Sequence, residues 1–265
     1  MKDLQVALIQ SDIHWQEVDA NLASFEEKIW QVESPVDLIL LPEMFNTGFS
    51  MDVKSNAERM NGKTFKWLQH MAMQKKAVIA GSLTIFDDND YYNRLIWMTP
   101  SGEFFCYDKR HLFRMTGEQI HFASGDSKQI FEIDGWKINP MVCYDLRFPV
   151  WSRNTFNLKN KSFGYDLAIY VANWPSARIN AWDILLKARA MENSCYVIGL
   201  NRIGIDGNGV SYNGHSNIID SKGFAQHEIR ENEFIEKYTL SAAKLDSHRE
   251  KFPSHLDADN FEIIG

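Results

Sequence analysis

The feature that most constrains the fold is the alternation of strand-like and helix-like segments along most of the chain. Residues 4–10 alternate as a strand, and residues 19–32 carry apolar side chains at helical spacing. The order recurs with a strand at 37–41 and a helix at 64–76. It returns with strands at 136–142, 166–172 and 195–200, separated by helices at 148–157 and 180–192. This pattern predicts an α/β protein whose sheets are covered by helices.

Hairpins and a tail complete the predicted organisation. Strands at 77–86 and 92–98 flank a polar turn, a strand at 103–107 follows, and residues 216–240 alternate as β-structure. The tail after Leu245 is predicted to be extended, either frayed or docked on a partner. With 265 residues, 45% of them hydrophobic, the chain can bury one large core, so one compact domain is expected.

Charge and cysteine content exclude several classes of partner. The formal net charge is −7 and the lysines and arginines are scattered, so neither nucleic acid nor a membrane is an expected partner. The N-terminus enters a strand without the pattern of a secretory signal, and three cysteines are a poor basis for a disulfide framework. A cytoplasmic protein with reduced thiols is therefore predicted. Eight histidines show no ligand-like spacing, so no metal is expected.

Four positions that could take part in catalysis or binding share a structural context, because each follows an apolar strand. They are Glu43, Lys109, Cys143 and the pair Asn173-Trp174. In α/β sheets, ligands gather at the carboxyl ends of strands. These groups are therefore expected to converge on one site, although they are far apart in the sequence.

Cys143 is the sharpest candidate among the three cysteines. The segment after it resembles a helix start with Pro149 in its first turn, and a thiol near a helix N-terminus has its thiolate stabilised. On composition alone, a free cysteine is more often a small, inert, buried residue. That second interpretation is the prediction for Cys106 and Cys195.

Three sequence blocks carry a family resemblance: LLPEMF at 40–45, YDKRHLF at 107–113 and VCYDLRFP at 142–149. They resemble the three signature blocks of the nitrilase superfamily, in the family order of glutamate, lysine and cysteine. Shorter pieces also match, namely GSL at 81–83, YNR at 92–94, ANWP at 172–175, RAMEN at 189–193 and GHS at 214–216. The cysteine block and the closing REKFP at 249–253 are similar to the omega-amidase branch, which hydrolyses 2-oxoglutaramate.

The resemblance implies an α/β fold of the αββα sandwich type, four layers deep, that dimerises into a larger αββα-αββα assembly. It implies a carbon–nitrogen hydrolase domain over residues 1–245 and a C-terminal extension over 246–265, docked on the domain or on a partner subunit. No cofactor is implied. The partners expected are a small-molecule amide substrate and a second copy of the chain.

The resemblance also assigns catalytic roles. Glu43, Lys109 and Cys143 match the Glu-Lys-Cys triad, in which cysteine attacks the amide and forms a thioester. Lys109 and the backbone N–H of Tyr144 are expected to stabilise the oxyanion. Glu118 fits the place of a second family glutamate, with a role in orienting Lys109 or the substrate amide. The alternative for Glu118 is an ordinary loop carboxylate.

Substrate recognition is expected to depend on residues outside the triad. Arg147 matches an arginine that binds the substrate carboxylate in related carbamoylases, with Arg114 and Arg178 as the other candidates. Trp174 is predicted to form a pocket wall. The alternatives are a salt bridge from Arg147 to Asp145 or another acid, and a purely structural place for Trp174 in the core.

The predicted function is that of an omega-amidase, which hydrolyses the terminal amide of a small dicarboxylic half-amide such as 2-oxoglutaramate or succinamate. A nitrilase or an N-carbamoyl amino acid amidohydrolase would use the same triad. Two further classes remain open at this point: a metal-dependent hydrolase and a non-catalytic protein on the same fold.

Overall fold

Two mixed sheets lie at the centre of the molecule. The structure is a computed structural model that describes residues 1–259 and 261–263. In the described part of the chain the strands are β1 (Leu4–Gln10), β2 (Leu38–Leu40), β3 (Val78–Asp87), β4 (Asp90–Met98), β5 (Phe104–Asp108), β6 (Phe131–Ile133), β7 (Trp136–Val142), β8 (Phe156–Asn157), β9 (Ser162–Phe163), β10 (Leu167–Ala172), β11 (Tyr196–Asn201), β12 (Ile203–Ile205), β13 (Ser211–Asn213), β14 (Asn217–Ile219) and β15 (Phe234–Leu240).

The helices connect and cover these strands. They are α1 (Val18–Gln31), α2 (Val53–Asn56), α3 (Lys63–Lys75), α4 (Glu118–His121), α5 (Pro149–Ser152), α6 (Ile179–Asn193) and α7 (Ala242–Lys251). Short 3₁₀ turns occur at Arg114–Thr116, Cys143–Arg147, Ser176–Arg178 and Ser254–Leu256. Among the residues described, no helix is both long and apolar enough to cross a bilayer.

Each sheet has a parallel centre with antiparallel edges. The first has the order β15-β1-β2-β3-β4-β5, in which β1, β2 and β3 run parallel. The second has the order β14-β11-β10-β7-β6, in which β7, β10 and β11 run parallel. Because parallel strands end at the same edge, this topology gathers the segments after β2, β7 and β10.

The two-residue period of the strands divides the core into two layers. On β1, Leu4 and Leu8 belong to the large core that joins both sheets, whereas Ala7 and Ile9 belong to the core shared with α1 and α3. Alternate side chains of a strand point to opposite faces, so one sequence serves both layers. The first sheet therefore has helices on its outer face.

Helix α6 covers the outer face of the second sheet, and a glycine permits its close approach. A Cβ added to Gly199 on β11 would lie 2.5 Å from Leu186 Cδ1 and 2.7 Å from Trp182 Cζ2. Only a residue without a side chain fits there. Helices α1 and α3, the two sheets and α6 thus form the four layers of the αββα sandwich, which confirms the predicted fold class.

The predicted helix at 148–157 is wrong. Only α5 is helical there, and β8 and β9 then form a short hairpin. The backbone N–H of Asn154 donates to Asn193 Oδ1 at 2.9 Å, and its side-chain amide donates to the Tyr165 carbonyl at 2.9 Å. These bonds to α6 and to the segment before β10 replace the helical ones, so tertiary contacts end the helix.

The expectation of an extended tail after Leu245 is wrong for residues 246–251, because α7 continues to Lys251. Arg249, which is 7% exposed, attaches this helix to the second sheet. Its guanidinium donates to Asp166 Oδ1 at 2.6 Å and to the carbonyls of Tyr165 and Ser194 at 3.0 and 2.9 Å. Three bonds at one buried site hold the last helix against the domain.

Substitution of Arg249 tests this attachment. Arg249→Met leaves the buried Asp166 carboxylate without its cation, and breaking a buried pair typically costs about 3 kcal/mol or more. We expect the free energy of unfolding, measured by urea titration, to fall by about that amount. The exposed Lys251, on the same helix, provides the control, since Lys251→Met should change stability by only about 0.5 kcal/mol. Equal effects of the two substitutions would contradict the attachment.

Candidate active site

The ends of strands from both sheets meet at one buried point. Glu43 follows β2, Lys109 follows β5 and Cys143 follows β7, with exposed fractions of 0%, 1% and 9%. Glu118, at the start of α4, is also fully buried. The structure therefore brings together the four residues that the sequence singled out for catalysis.

Lys109 lies between two carboxylates. Its Nζ is 3.0 Å from Glu43 Oε1, and 2.9 and 3.0 Å from Glu118 Oε1 and Oε2. The bidentate contact with Glu118 fixes the direction of the ammonium group. Two carboxylates and one ammonium leave this cluster with one excess negative charge when all three are ionised.

Amide donors complete the coordination of the two glutamates. Asn93 Nδ2 donates to Glu43 Oε1 at 2.7 Å, and the backbone N–H of Asn173 donates to Glu43 Oε2 at 2.8 Å. The backbone N–H of Phe113 donates to Glu118 Oε2 at 2.5 Å. Buried carboxylates are tolerated only when their oxygens are paired in this way.

The loop after β5 is shaped by glycines. Gly117 precedes α4 with a φ of +76°, a conformation that side chains disfavour. The N–H of Gly125 donates to the Lys109 carbonyl at 3.0 Å, and a Cβ there would lie 2.2 Å from the Asp108 carbonyl oxygen. The close approach at Gly125 thus folds the loop back so that Glu118 reaches Lys109.

The environment of the lysine favours its charged form. Burial alone would lower the pKa of Lys109, but the carboxylates of Glu118 and Glu43 outweigh burial and hold that pKa well above its usual value. Burial raises the pKa of Glu118, and the Glu43 charge adds to the rise against the opposing effect of Lys109.

Cys143 differs electrostatically from the sequence-based expectation. A 3₁₀ turn begins at Cys143 itself, with a φ of +43°, and the thiol lies 3.8 Å from the Asn173 carbonyl oxygen. Burial and then the charge of Glu43 raise the pKa of the thiol well above its ordinary value, although Lys109 opposes them. This environment favours the protonated thiol, so the stabilisation expected at a helix start does not dominate and a base is needed to remove the proton.

A cavity of about 520 Å³ opens beside the thiol, a size that suits a small molecule. The residues that line it include Lys109, Cys143 and Tyr144 together with Arg147 and Trp174. Tyr144 is the second residue of the 3₁₀ turn, and backbone N–H groups in the first turn of a helix lack intrahelical partners.

Arg147 has no carboxylate partner among the residues that the structure describes. Asp145, the suggested partner, accepts from Tyr107 Oη at 2.8 Å, from the Val142 N–H at 3.0 Å and from His111 Nδ1 at 2.7 Å. The proposed salt bridge from Arg147 to Asp145 is therefore absent. Instead, the Arg147 guanidinium lies over the Trp174 ring at 5.0 Å.

Two asparagines contribute to the site in ways that the sequence did not reveal. Asn93 lies within β4 in the YNR match, and Asn173 follows a strand in the ANWP match, but neither match indicates a role for the asparagine. Within residues 1–259 and 261–263, no group of three or more His, Cys, Asp or Glu side chains is arranged to hold a metal ion.

Comparisons with known proteins agree with this geometry. Over 265 residues the chain is 42% identical to the omega-amidase YafV of Yersinia enterocolitica, covering 100% of both chains. It is 30% identical over 251 residues to the 2-oxoglutaramate amidase of Bacillus subtilis, covering 94% of this chain and 95% of the relative. The crystal structure of XC1258 from Xanthomonas campestris, a CN-hydrolase superfamily protein with an arsenic adduct in its active site, matches with a TM-score of 0.97. That match has 44% identity and covers 100% of each chain.

A family model described as carbon-nitrogen hydrolase matches residues 5–247, nearly the whole chain. The match confirms the resemblance drawn from the three sequence blocks. The chain belongs to the carbon-nitrogen hydrolase family, within the nitrilase superfamily.

Proposed function

We propose that this protein is a cysteine-dependent omega-amidase, which hydrolyses the terminal amide of a small dicarboxylic half-amide to the acid and ammonia. The observation that carries the proposal is the cavity itself, which joins the Cys143 and Lys109 site to the unpaired guanidinium of Arg147. The omega-amidase and the 2-oxoglutaramate amidase found among its relatives support the same substrate class.

In the proposed acylation step, Glu43 acts as the general base. Its Oε1 already accepts from Lys109 and Asn93, whereas Oε2 accepts only the Asn173 N–H, which leaves Oε2 free to take the Cys143 proton. The sulfur then attacks the amide carbon, and the carbonyl π electrons move to oxygen. Lys109 Nζ and the Tyr144 N–H stabilise this oxyanion.

The remaining steps return the site to its resting state. Glu43 transfers the proton to the amide nitrogen as the carbon–nitrogen bond breaks, so ammonia leaves and a thioester stays on Cys143. A water molecule, deprotonated by Glu43, attacks the thioester, and Cys143 leaves as the thiol after recovering the proton. Glu118 orients Lys109 through its bidentate contact throughout.

Arg147 binds the distal carboxylate of the substrate in this proposal. The contact with the Trp174 ring holds the guanidinium while leaving its N–H donors available for paired hydrogen bonds to a carboxylate. Trp174 is itself held, because its backbone N–H donates to Asn201 Oδ1 at 2.7 Å and its indole N–H donates to the Arg178 carbonyl at 2.9 Å.

The proposal extends to the assembly and its compartment. Three apolar side chains are each 57% exposed at the outer face of the second sheet, namely Val150 on α5 and Ile184 and Met191 on α6. Their exposure supports a homodimer formed through that face. A nucleophilic thiol must stay reduced, and all three cysteines are free, so we place the enzyme in the cytoplasm.

A substrate panel tests the reaction class. We expect ammonia release from succinamate and 2-oxoglutaramate, and slower turnover of the matching nitrile and N-carbamoyl acid. Cys143→Ala should lower turnover of the half-amides by about 10⁴-fold or more, because the thioester can no longer form. Faster turnover of the nitrile or the N-carbamoyl acid than of either half-amide would replace this proposal with the corresponding alternative.

Arg147→Met tests carboxylate recognition. Hydrogen bonds to charged groups contribute about 1.5–3 kcal/mol, so we expect kcat/KM for succinamate to fall about 10- to 100-fold, mainly through KM. Butyramide, which lacks the distal carboxylate, should be hydrolysed equally by the variant and the parent. Arg114→Met provides the control, since Arg114 is exposed and does not line the cavity. An equal loss on butyramide would show that Arg147 does not recognise the carboxylate.

Glu43→Gln separates thiol ionisation from catalysis. The Glu43 charge is one cause of the raised pKa of Cys143, so its removal should lower that pKa and make the thiolate more abundant at a given pH. Turnover should nevertheless fall by about 100-fold or more, because the proton acceptor is lost. Ultraviolet absorbance of the thiolate, read against a Cys143→Ala blank, measures the first effect.

Burial raises the pKa of Cys106 and Cys195 to about 12, so these thiols contribute little near neutral pH. An unchanged or higher Cys143 midpoint would refute this electrostatic coupling.

A further inference from the structure

The peptide unit that follows Glu43 is held in an unusual conformation. Met44 has a φ of +43°, in the left-handed region that non-glycine residues rarely adopt, and its side chain is fully buried. Such a conformation persists only where surrounding contacts determine it. The direction in which the Glu43 side chain leaves the backbone depends on this turn.

Two buried side chains bind the two polar groups of that peptide unit. Asn173 Nδ2 donates to the Glu43 carbonyl oxygen at 2.6 Å, and the Met44 N–H donates to Ser82 Oγ at 2.9 Å. Asn173 is 4% exposed and Ser82 is 0% exposed, so water does not compete at either contact.

The two side chains come from different sheets. Ser82 lies on β3, in the sheet that carries Glu43, whereas Asn173 follows β10, which is next to β7, the strand that precedes Cys143. The Asn173 backbone also donates to Glu43 Oε2 and places its carbonyl 3.8 Å from the Cys143 sulfur. Asn173 therefore contacts both the backbone and the carboxylate of Glu43, and it also contacts the Cys143 nucleophile.

We propose that Ser82 and Asn173 form a clamp on the Glu43–Met44 peptide unit that sets the position of the general base relative to the nucleophile across the two sheets. Both are positioning residues, and neither exchanges a proton with the substrate. The proposal rests on the role of Glu43 in the proposed function. A misplacement of about 1 Å at a reacting group can cost about 100-fold in rate, so loosening the clamp is a catalytic change.

The test compares Asn173→Ala, Ser82→Ala and the double variant. We expect each single variant to lower kcat for succinamate by about 10- to 100-fold, with KM within about threefold of the parent. Because either substitution releases the same peptide unit, the double variant should lose less than the product of the two single losses.

A second readout follows the position of the Glu43 charge without any substrate. In both single variants the midpoint of Cys143 thiolate formation should move from the parent value towards that of Glu43→Gln, because the carboxylate is no longer held beside the sulfur. A purely structural role would lower the unfolding temperature and leave this midpoint unchanged. This readout needs no substrate, so it applies even if the parent hydrolyses no half-amide. That outcome would reject the proposed function, and the thiolate midpoint would still test the clamp.

Asn139→Ala is the matched control, because Asn139 is also 4% exposed and lies on β7, next to β10. It should leave kcat and the thiolate midpoint of the folded enzyme unchanged. If Asn173→Ala does not fold, Ser82→Ala alone carries the test, since it removes a single hydroxyl group. A kcat and a thiolate midpoint equal to those of Asn139→Ala would overturn the proposal.

Discussion

The rest of the structure depends on one buried ammonium group held between two buried carboxylates. Isolated charges cost several kcal/mol to remove from water, so Lys109, Glu43 and Glu118 are stable only together and only with further donors. Those donors come from three other places in the chain, namely Asn93 on β4, the N–H of Phe113 and the N–H of Asn173. The two sheets must therefore meet at this point, since neither sheet supplies all of the partners.

Burial and the nearby Glu43 carboxylate both favour the protonated form of the Cys143 thiol. Many reactive cysteines rest as thiolates beside cationic groups or helix N-termini. Cys143 occupies the start of a 3₁₀ turn and has Lys109 nearby, yet burial and Glu43 dominate and keep the proton on sulfur. A neutral thiol beside an ionised carboxylate requires no separated charge in the resting state, and proton transfer can accompany attack on the substrate. In the proposed mechanism, Glu43 must therefore be held at a fixed position beside the sulfur, which is the role proposed for Ser82 and Asn173.

The layers of the fold were predictable from the sequence, because burial of one face of a strand or helix imposes a periodic spacing on its apolar residues. Strands such as β1 and helices such as α1 present apolar side chains at fixed spacing, and this spacing is local information. The predicted helix at 148–157 failed because Asn154 bonds to Asn193, some forty positions later. The tail was predicted incorrectly for a similar reason, since α7 has few buried residues and is attached through Arg249.

The candidate site shows the same division between local and tertiary information. Glu43, Lys109 and Cys143 were recognisable because each follows an apolar strand within a family block. Asn93 and Asn173 also lie in segments that match the family, but their roles were not predictable, because these roles arise from contacts with Glu43, which is 50 and 130 positions away in sequence. The left-handed conformation of Met44 was equally hidden, since methionine is not a residue that marks such turns.

Chemistry and recognition depend on different kinds of contact in this cavity. The catalytic groups are fixed by hydrogen bonds that occupy nearly all of their polar atoms, which suits groups that must not move during proton transfer. Arg147 is fixed by the face of the Trp174 ring, and this contact uses no N–H donor. An arginine paired with a protein carboxylate would have to lose that partner before binding the substrate. The contact with the ring avoids this loss, so in the proposed function the Arg147 guanidinium is both oriented and available for a substrate carboxylate.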